Sequence, residues 1–210
     1  MTRCKVCGID YGVSHECSGL SPFMTLEEAA PPPSEFAPFY YIRMAFNIVR
    51  WDDMAVRRAS RDPNALVYGA ALCAVSAAAI FLVTALPGVL AREGRTPGTI
   101  FWGLLLGLVF FWTYMAIITV IQIGLCHAIA KIFLGATGTL AGVMRPLFLG
   151  WFVNVLILIP VVGVYAVGIA WTVVLMLVFE EVDGIGRMQA FLISAGINAA
   201  FVAMQVLIPH

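Results

Sequence analysis

The chain has 210 residues, 61% of them hydrophobic and only 11% charged, and its 12 basic residues cancel its 12 acidic ones. A typical globular domain is nearer half apolar and a quarter charged, and a soluble chain this short has too little interior to hide so much apolar surface. Composition therefore excludes a soluble enzyme, a disordered protein and a nucleic-acid binder steered by net charge, and leaves an integral membrane protein.

Three of the five cysteines fall in the first 17 residues. Cys4-Lys5-Val6-Cys7-Gly8 has the form of a zinc knuckle, in which a C-x-x-C-G turn aims two thiolates at one ion. His15 and Cys17 complete a tetrahedral Cys3His set, so residues 1–20 are expected to bind a structural zinc through Cys4, Cys7, His15 and Cys17. A metal folds a segment this short, which has almost no core of its own. The alternatives are a reduced, unstructured cysteine tail and a redox C-x-x-C, for which the strand–helix context is missing. With all four positions filled by protein, no catalysis is expected at the metal.

Residues 21–38 read as a linker. Pro31-Pro32-Pro33 favours extended chain, and Glu27, Glu28 and Glu35 keep it solvated. Residues 39–62 read as one amphipathic interfacial helix. Arg43, Asn47, Arg50, Asp53, Arg57 and Arg61 recur at steps of three or four, as do Tyr41, Met44, Ile48, Trp51 and Ala55. Such a helix suits the headgroup layer, with Arg43, Arg50, Arg57 and Arg61 on anionic lipid headgroups and Trp51 at the interface. A helix packed on the cytoplasmic end of a bundle has the same pattern. Asp62-Pro63 then reads as N-cap and first residue of the next helix.

Charge positions divide the remainder. Residues 63–91, 96–130 and 146–179 contain no Asp, Glu, Lys or Arg, and neither do the residues after Arg187. About 20 apolar residues cross the hydrocarbon core. The first, second and last stretches therefore hold one span each. Ile159-Pro160-Val161-Val162-Gly163 interrupts the third, because proline breaks the helix and glycine permits a tight turn. Five spans result, at about 64–90, 98–130, 140–159, 163–181 and 188–208. A re-entrant hairpin over the third stretch is the competing reading. The expected fold is thus an all-α integral membrane protein, a five-span helical bundle with the amphipathic helix and the zinc-knuckle-like segment before it.

Lys and Arg near the span ends give seven on the N-terminal side against two on the other. The positive-inside rule then places the N-terminus in the cytoplasm and the C-terminus outside. The first 38 residues lack the apolar core of a secretory signal.

With no Asp, Glu, Lys or Arg at a span centre, His127 is the intramembrane candidate for an ionisable role. A neutral, hydrogen-bonded imidazole at the interface is expected there, a proton relay or metal ligand being the alternative. Cys73 and Cys126 are expected to pack as small residues. Gln122, Asn154, Asn198 and Gln205 are expected to bond between helices, and Asn154 alternatively to line a polar cavity. Gly103 and Gly107 form a GxxxG pair that permits close helix approach. Catalytic patterns are missing: no H-E-x-x-H occurs, and no paired aspartates or Ser–His set lies at membrane depth. Gly135–Gly142 is glycine-rich but lacks the Lys-Ser/Thr ending of a phosphate loop, and reads as a flexible joint.

The chain resembles the Yip-one domain family, the Ypt/Rab-interacting proteins and their bacterial relatives, over roughly 39–210. The resemblance rests on the long second apolar segment through His127 and Lys131 into the Gly135–Gly142 loop and Arg145-Pro146. It rests also on Ile159–Gly163 ahead of Trp171, and on Glu181-Val182-Asp183-Gly184-Ile185-Gly186-Arg187 leading to Ala190. It implies a five-span bundle with a cytoplasmic N-terminus. Eukaryotic members resemble trafficking adaptors that contact small GTPases, but their Asp-Leu-Tyr-Gly-Pro-type segment has no counterpart here. The implied protein is a bacterial-type member in the cytoplasmic (inner) membrane.

A non-enzymatic adaptor or membrane-organising role is therefore expected, with the bilayer, anionic headgroups and a cytoplasmic protein or second copy as partners, and no nucleic acid. A transporter or channel for a small solute, ion or lipid is the alternative.

Overall fold

The computed structural model describes residues 2–3, 10–11, 36–91 and 96–207, in two compact units, Met1–Phe36 and Ala37–His210. In the first unit, β1 (Thr2–Arg3) pairs antiparallel with β2 (Asp10–Tyr11), Thr2 opposite Tyr11. The two short strands flank the Cys4–Cys7 segment in sequence. Cys4, Cys7, His15 and Cys17 themselves, and most of the 21–38 linker, lie outside the described residues.

The second unit is all helix. The single amphipathic helix expected over 39–62 is two helices, α1 (Pro38–Val49) and α2 (Asp53–Arg61). A Schellman turn separates them: the Trp51 N–H donates to the Ile48 carbonyl (3.0 Å) and the Asp52 N–H to that of Asn47 (3.0 Å). The turn needs a left-handed residue, and Trp51 supplies it at φ 65°, where glycine is usual. Asp52 then caps α2, its carboxylate accepting from the Met54 and Ala55 N–H groups. The periodicity in the sequence runs across the break, so it does not reveal the break.

α1 buries Tyr41, Met44, Ala45 and Ile48, and α2 buries Ala55, Val56 and Ala59, against the rest of the bundle. Of the residues expected on one apolar stripe, Trp51 alone points outward.

α3 (Asn64–Leu90) begins where the sequence places it. The Asp62 carboxylate accepts from the Asn64 N–H (2.9 Å), and Pro63 already has helical dihedrals. α4 (Pro97–Leu134) has 38 residues, about 57 Å of helix against a core of ~30 Å. Thr96 caps it, and it ends at the left-handed Gly135.

α5 (Leu140–Gly150) does not continue as the α-helix expected to 159. It tightens into a 3₁₀ segment, Trp151–Leu158. The change has a use: 3₁₀ winding rises ~2.0 Å per residue against ~1.5 Å, so the 19 residues reach roughly 4 Å further. A short apolar stretch thereby comes closer to matching the bilayer.

The hairpin expected around Pro160 is present, but the left-handed residue is Val161 (φ 67°), not Gly163. Gly163 serves close approach instead, since a Cβ there would stand 2.5 Å from the Leu156 carbonyl oxygen. α6 (Gly163–Asp183) follows and ends at the left-handed Gly184, and α7 (Arg187–Leu207) is the last helix. Among the described residues, four helical stretches are long and apolar enough to cross a membrane: Asn64–Val89, Pro97–Leu134, Leu140–Leu158 and Tyr165–Asp183.

Candidate functional site

Chemistry-bearing side chains gather at the end of the bundle that carries α1 and α2. His127, near the end of α4, directs Nδ1 to Asp183 Oδ2 at 2.9 Å. Both residues are buried. Asp183 closes α6, where the helix dipole is unfavourable to a carboxylate, so the imidazole compensates a charge that the helix does not. When Asp183 is ionised, the His127 proton lies on Nδ1. Such a pair can hold one proton or pass it on.

The Gly135–Thr139 loop wraps this pair. The Thr137 N–H donates to the Asp183 carbonyl (3.0 Å), and Thr139 caps α5 through the Gly142 N–H (3.1 Å). Gly138 packs directly on Asp183 and Val182, leaving no room for a Cβ. The expected flexible joint is thus a pinned loop, because its glycine answers a close approach and not a need for mobility. Asp183 Oδ1 is buried with no hydrogen-bond partner. Gly138 occupies the space beside it, so the oxygen faces backbone and not a cavity.

Around the pair lies a collar of charge. Arg57 on α2 bonds Glu181 on α6. Arg145 on α5 donates to the Ser60 carbonyl (2.8 Å). The Tyr41 hydroxyl donates to Asp62 Oδ2 (2.7 Å) while its ring stacks on Tyr68 at 3.9 Å. Burial, and then the Asp62 carboxylate beside it, push the Tyr41 hydroxyl pKa well above its ordinary value. Arg57, expected on lipid headgroups, is ion-paired with Glu181.

Deeper in the bundle the polar side chains bond one another. Trp171 Nε1 donates to Gln122 Oε1 (3.1 Å), and Trp151 Nε1 to Thr119 Oγ1 (3.0 Å). Asn198 Nδ2 donates to Thr172 Oγ1 (2.8 Å) and to the Gly168 carbonyl (3.1 Å). Asn154 turns back to the Trp151 carbonyl of its own segment (2.8 Å). Cys73 and Cys126 are buried free thiols, as their packing role requires.

Among the described residues no three His, Cys, Asp or Glu side chains come together as a metal site. The sequence signalled His127 but not its partner. Asp183 is the last residue before a helix-ending glycine, in an acidic Glu180–Asp183 run that reads as a solvated helix end. It is buried by the folding of α6 beside α4 under the Gly135–Thr139 loop.

Comparison with protein-family models, with curated proteins and with solved structures finds no match to this chain.

Proposed function

We propose that this is a non-enzymatic multi-pass membrane protein whose bundle anchors and presents a cytoplasmic N-terminal zinc module, an adaptor or membrane-organising role. One observation carries the reading. Gln122, Asn154, Asn198 and the indoles of Trp151 and Trp171 all bond to groups within the bundle. Gln122, Asn198 and the two indoles are spent on holding helices together and Asn154 on its own segment, which leaves the cysteine segment as the part of the chain suited to an outside partner. In this reading α7 is the fifth crossing, the N-terminus lies in the cytoplasm of a bacterium and the C-terminus outside the inner membrane. The β1–β2 pairing on either side of Cys4–Cys7 suits a C-x-x-C-G knuckle closed by Cys4, Cys7, His15 and Cys17 around zinc. The resemblance to the bacterial Yip-like proteins agrees with the same topology.

A second reading, transport of a small solute, ion or lipid, is favoured by an apolar cleft of about 730 Å³ between α6 and α7, with Asn198 and Thr172 in its wall. The two readings separate by experiment. Elemental mass spectrometry of the purified chain should find one zinc per chain, lost in a Cys4→Ser, Cys7→Ser double variant. Removing residues 1–20 should then abolish a crosslinked partner while leaving membrane insertion intact. No zinc after metal-replete expression, with unchanged crosslinks, would overturn the adaptor reading. Solute or lipid flux in liposomes that falls in Asn198→Leu would establish the second.

A further inference from the structure

α1 lies across the bundle at a definite depth. The charged level of the collar is marked by Arg145 on the Ser60 carbonyl and by Arg57 on Glu181. α1 touches this level through Tyr41 on Asp62, and its packing contacts reach deeper. Tyr41 stacks on Tyr68, in the second turn of α3. Ile48 crowds Gly150, and Phe46 packs edge-on against Phe152 at 5.0 Å. Gly69 of α3 meets Phe148 and Leu149 of α5, so Tyr68 and Gly150 stand at one level. That level is five residues past Arg145, about 7 Å further into the bundle. A helix at that level, in a chain that spans a bilayer, lies at the boundary of headgroups and acyl chains.

The outward face of α1 matches that place. Phe39, Arg43, Phe46 and Arg50 recur at steps of four, three and four, and all are exposed, Phe39 at 84%. Trp51, held outward by its left-handed backbone, extends the same face at 59%. α1 thus has two apolar faces, one for the bundle and one beside two arginines, and no acidic residue lies between Pro38 and Arg50. Long arginine side chains reach up to phosphates while aromatic rings stay at the acyl boundary.

We infer that α1 is a phospholipid-binding collar. Arg43 and Arg50 hold the phosphates of anionic glycerophospholipids in the leaflet at this end of the bundle, and Phe39, Phe46 and Trp51 enter the acyl boundary. Arg43, Arg50 and Trp51 are among the residues expected at lipid, but the apolar residues beside them are Phe39 and Phe46, because Tyr41, Met44 and Ile48 are taken by the bundle and Arg57 is held by Glu181. The inference rests on the bundle's residence in a bilayer and is independent of the zinc segment and of any protein partner.

The test uses the full chain reconstituted in phosphatidylcholine bilayers, with spin-labelled phosphatidylglycerol or phosphatidylcholine as the probe. The motion-restricted fraction of each probe gives their relative association. Phosphatidylglycerol should be preferred, and the preference should fall in Arg43→Gln, Arg50→Gln by up to about fivefold per arginine, the equivalent of about 1 kcal/mol per basic residue at an anionic surface. Arg57→Gln should keep it. A wild-type chain without preference, or a double variant that retains it, overturns the inference. A second measurement avoids the arginines. The fluorescence lost in Trp51→Phe should be quenched by lipid brominated near the headgroup end of its acyl chains and spared by aqueous iodide. The reverse pattern also overturns the inference.

Discussion

At one end of the bundle α1, α2, the Gly135–Thr139 loop and the end of α6 interlock through Tyr41–Asp62, Arg57–Glu181, Arg145–Ser60 and His127–Asp183. At the other end the first half of α4 and the Ile159–Val162 turn leave Phe101, Trp102, Phe110, Val161 and Tyr165 exposed. Apolar surface facing lipid has nothing to gain by meeting another helix, because acyl chains are as apolar as leucine. Helices in a bilayer are therefore held where polar groups pair and small residues let backbones close. Polar pairing between elements is dense at the end that carries α1 and α2, whereas close glycines stand both there and, as Gly107 and Gly163, toward the other end. Gly69, Gly138 and Gly150 have no room for a Cβ, whereas Gly103, Gly98 and Gly88 face open space.

Four substitutions would break or sharpen this contrast. His127→Ala removes the partner of a buried carboxylate and should cost about 3 kcal/mol or more, read by reversible unfolding in mixed micelles. A loss under half of that would mean that Asp183 is compensated by other means. Gly138→Ala drives a Cβ into Asp183 and the Val182 carbonyl, and about 2 kcal/mol is expected from overpacking. A crystal or cryo-EM structure of the variant should show the loop lifted from α6.

Tyr41→Phe keeps the ring stacked on Tyr68 but deletes the bond to Asp62, for about 1.5 kcal/mol near neutral pH. Its pH dependence has a defined sign. The folded-state pKa of Tyr41 lies above the unfolded value of about 10, so the folded chain holds the phenolic proton more tightly. The stability this group contributes is constant below pH ~10 and is lost as pH rises past it. The phenylalanine variant should show a shallower alkaline decline in a pH series of melting curves. An equal decline would assign it to other tyrosines. At the opposite end, Gly103→Ala meets nothing and should change stability by less than about 0.5 kcal/mol. A loss near 2 kcal/mol there would mean that Gly103 contacts a second copy.

Much of the helical plan was legible along the chain. Asp62-Pro63 marks the start of α3 and Pro160–Gly163 the hairpin, because caps and breakers act on local backbone geometry. The break at Trp51 was hidden, since a tryptophan occupies the left-handed position that glycine normally signals. Val161 hid the turn position in the same way. The 3₁₀ winding of Trp151–Leu158 was hidden too, because no residue in it breaks an α-helix.

The candidate site divides similarly. His127 stood out as an ionisable group within an apolar stretch, and its hydrogen bond was expected. Its partner was not, because an acidic residue at a helix end is solvated unless another element covers it. Composition and charge spacing alone determined that the chain is a multi-helix membrane protein, since the cost of charge in hydrocarbon acts on every residue wherever it sits. Tertiary structure decided which polar groups pair, which face of α1 the bundle covers, and where glycine is obligatory. Those outcomes depend on which helices meet and at what depth, and one helix's periodicity carries no information about its neighbours.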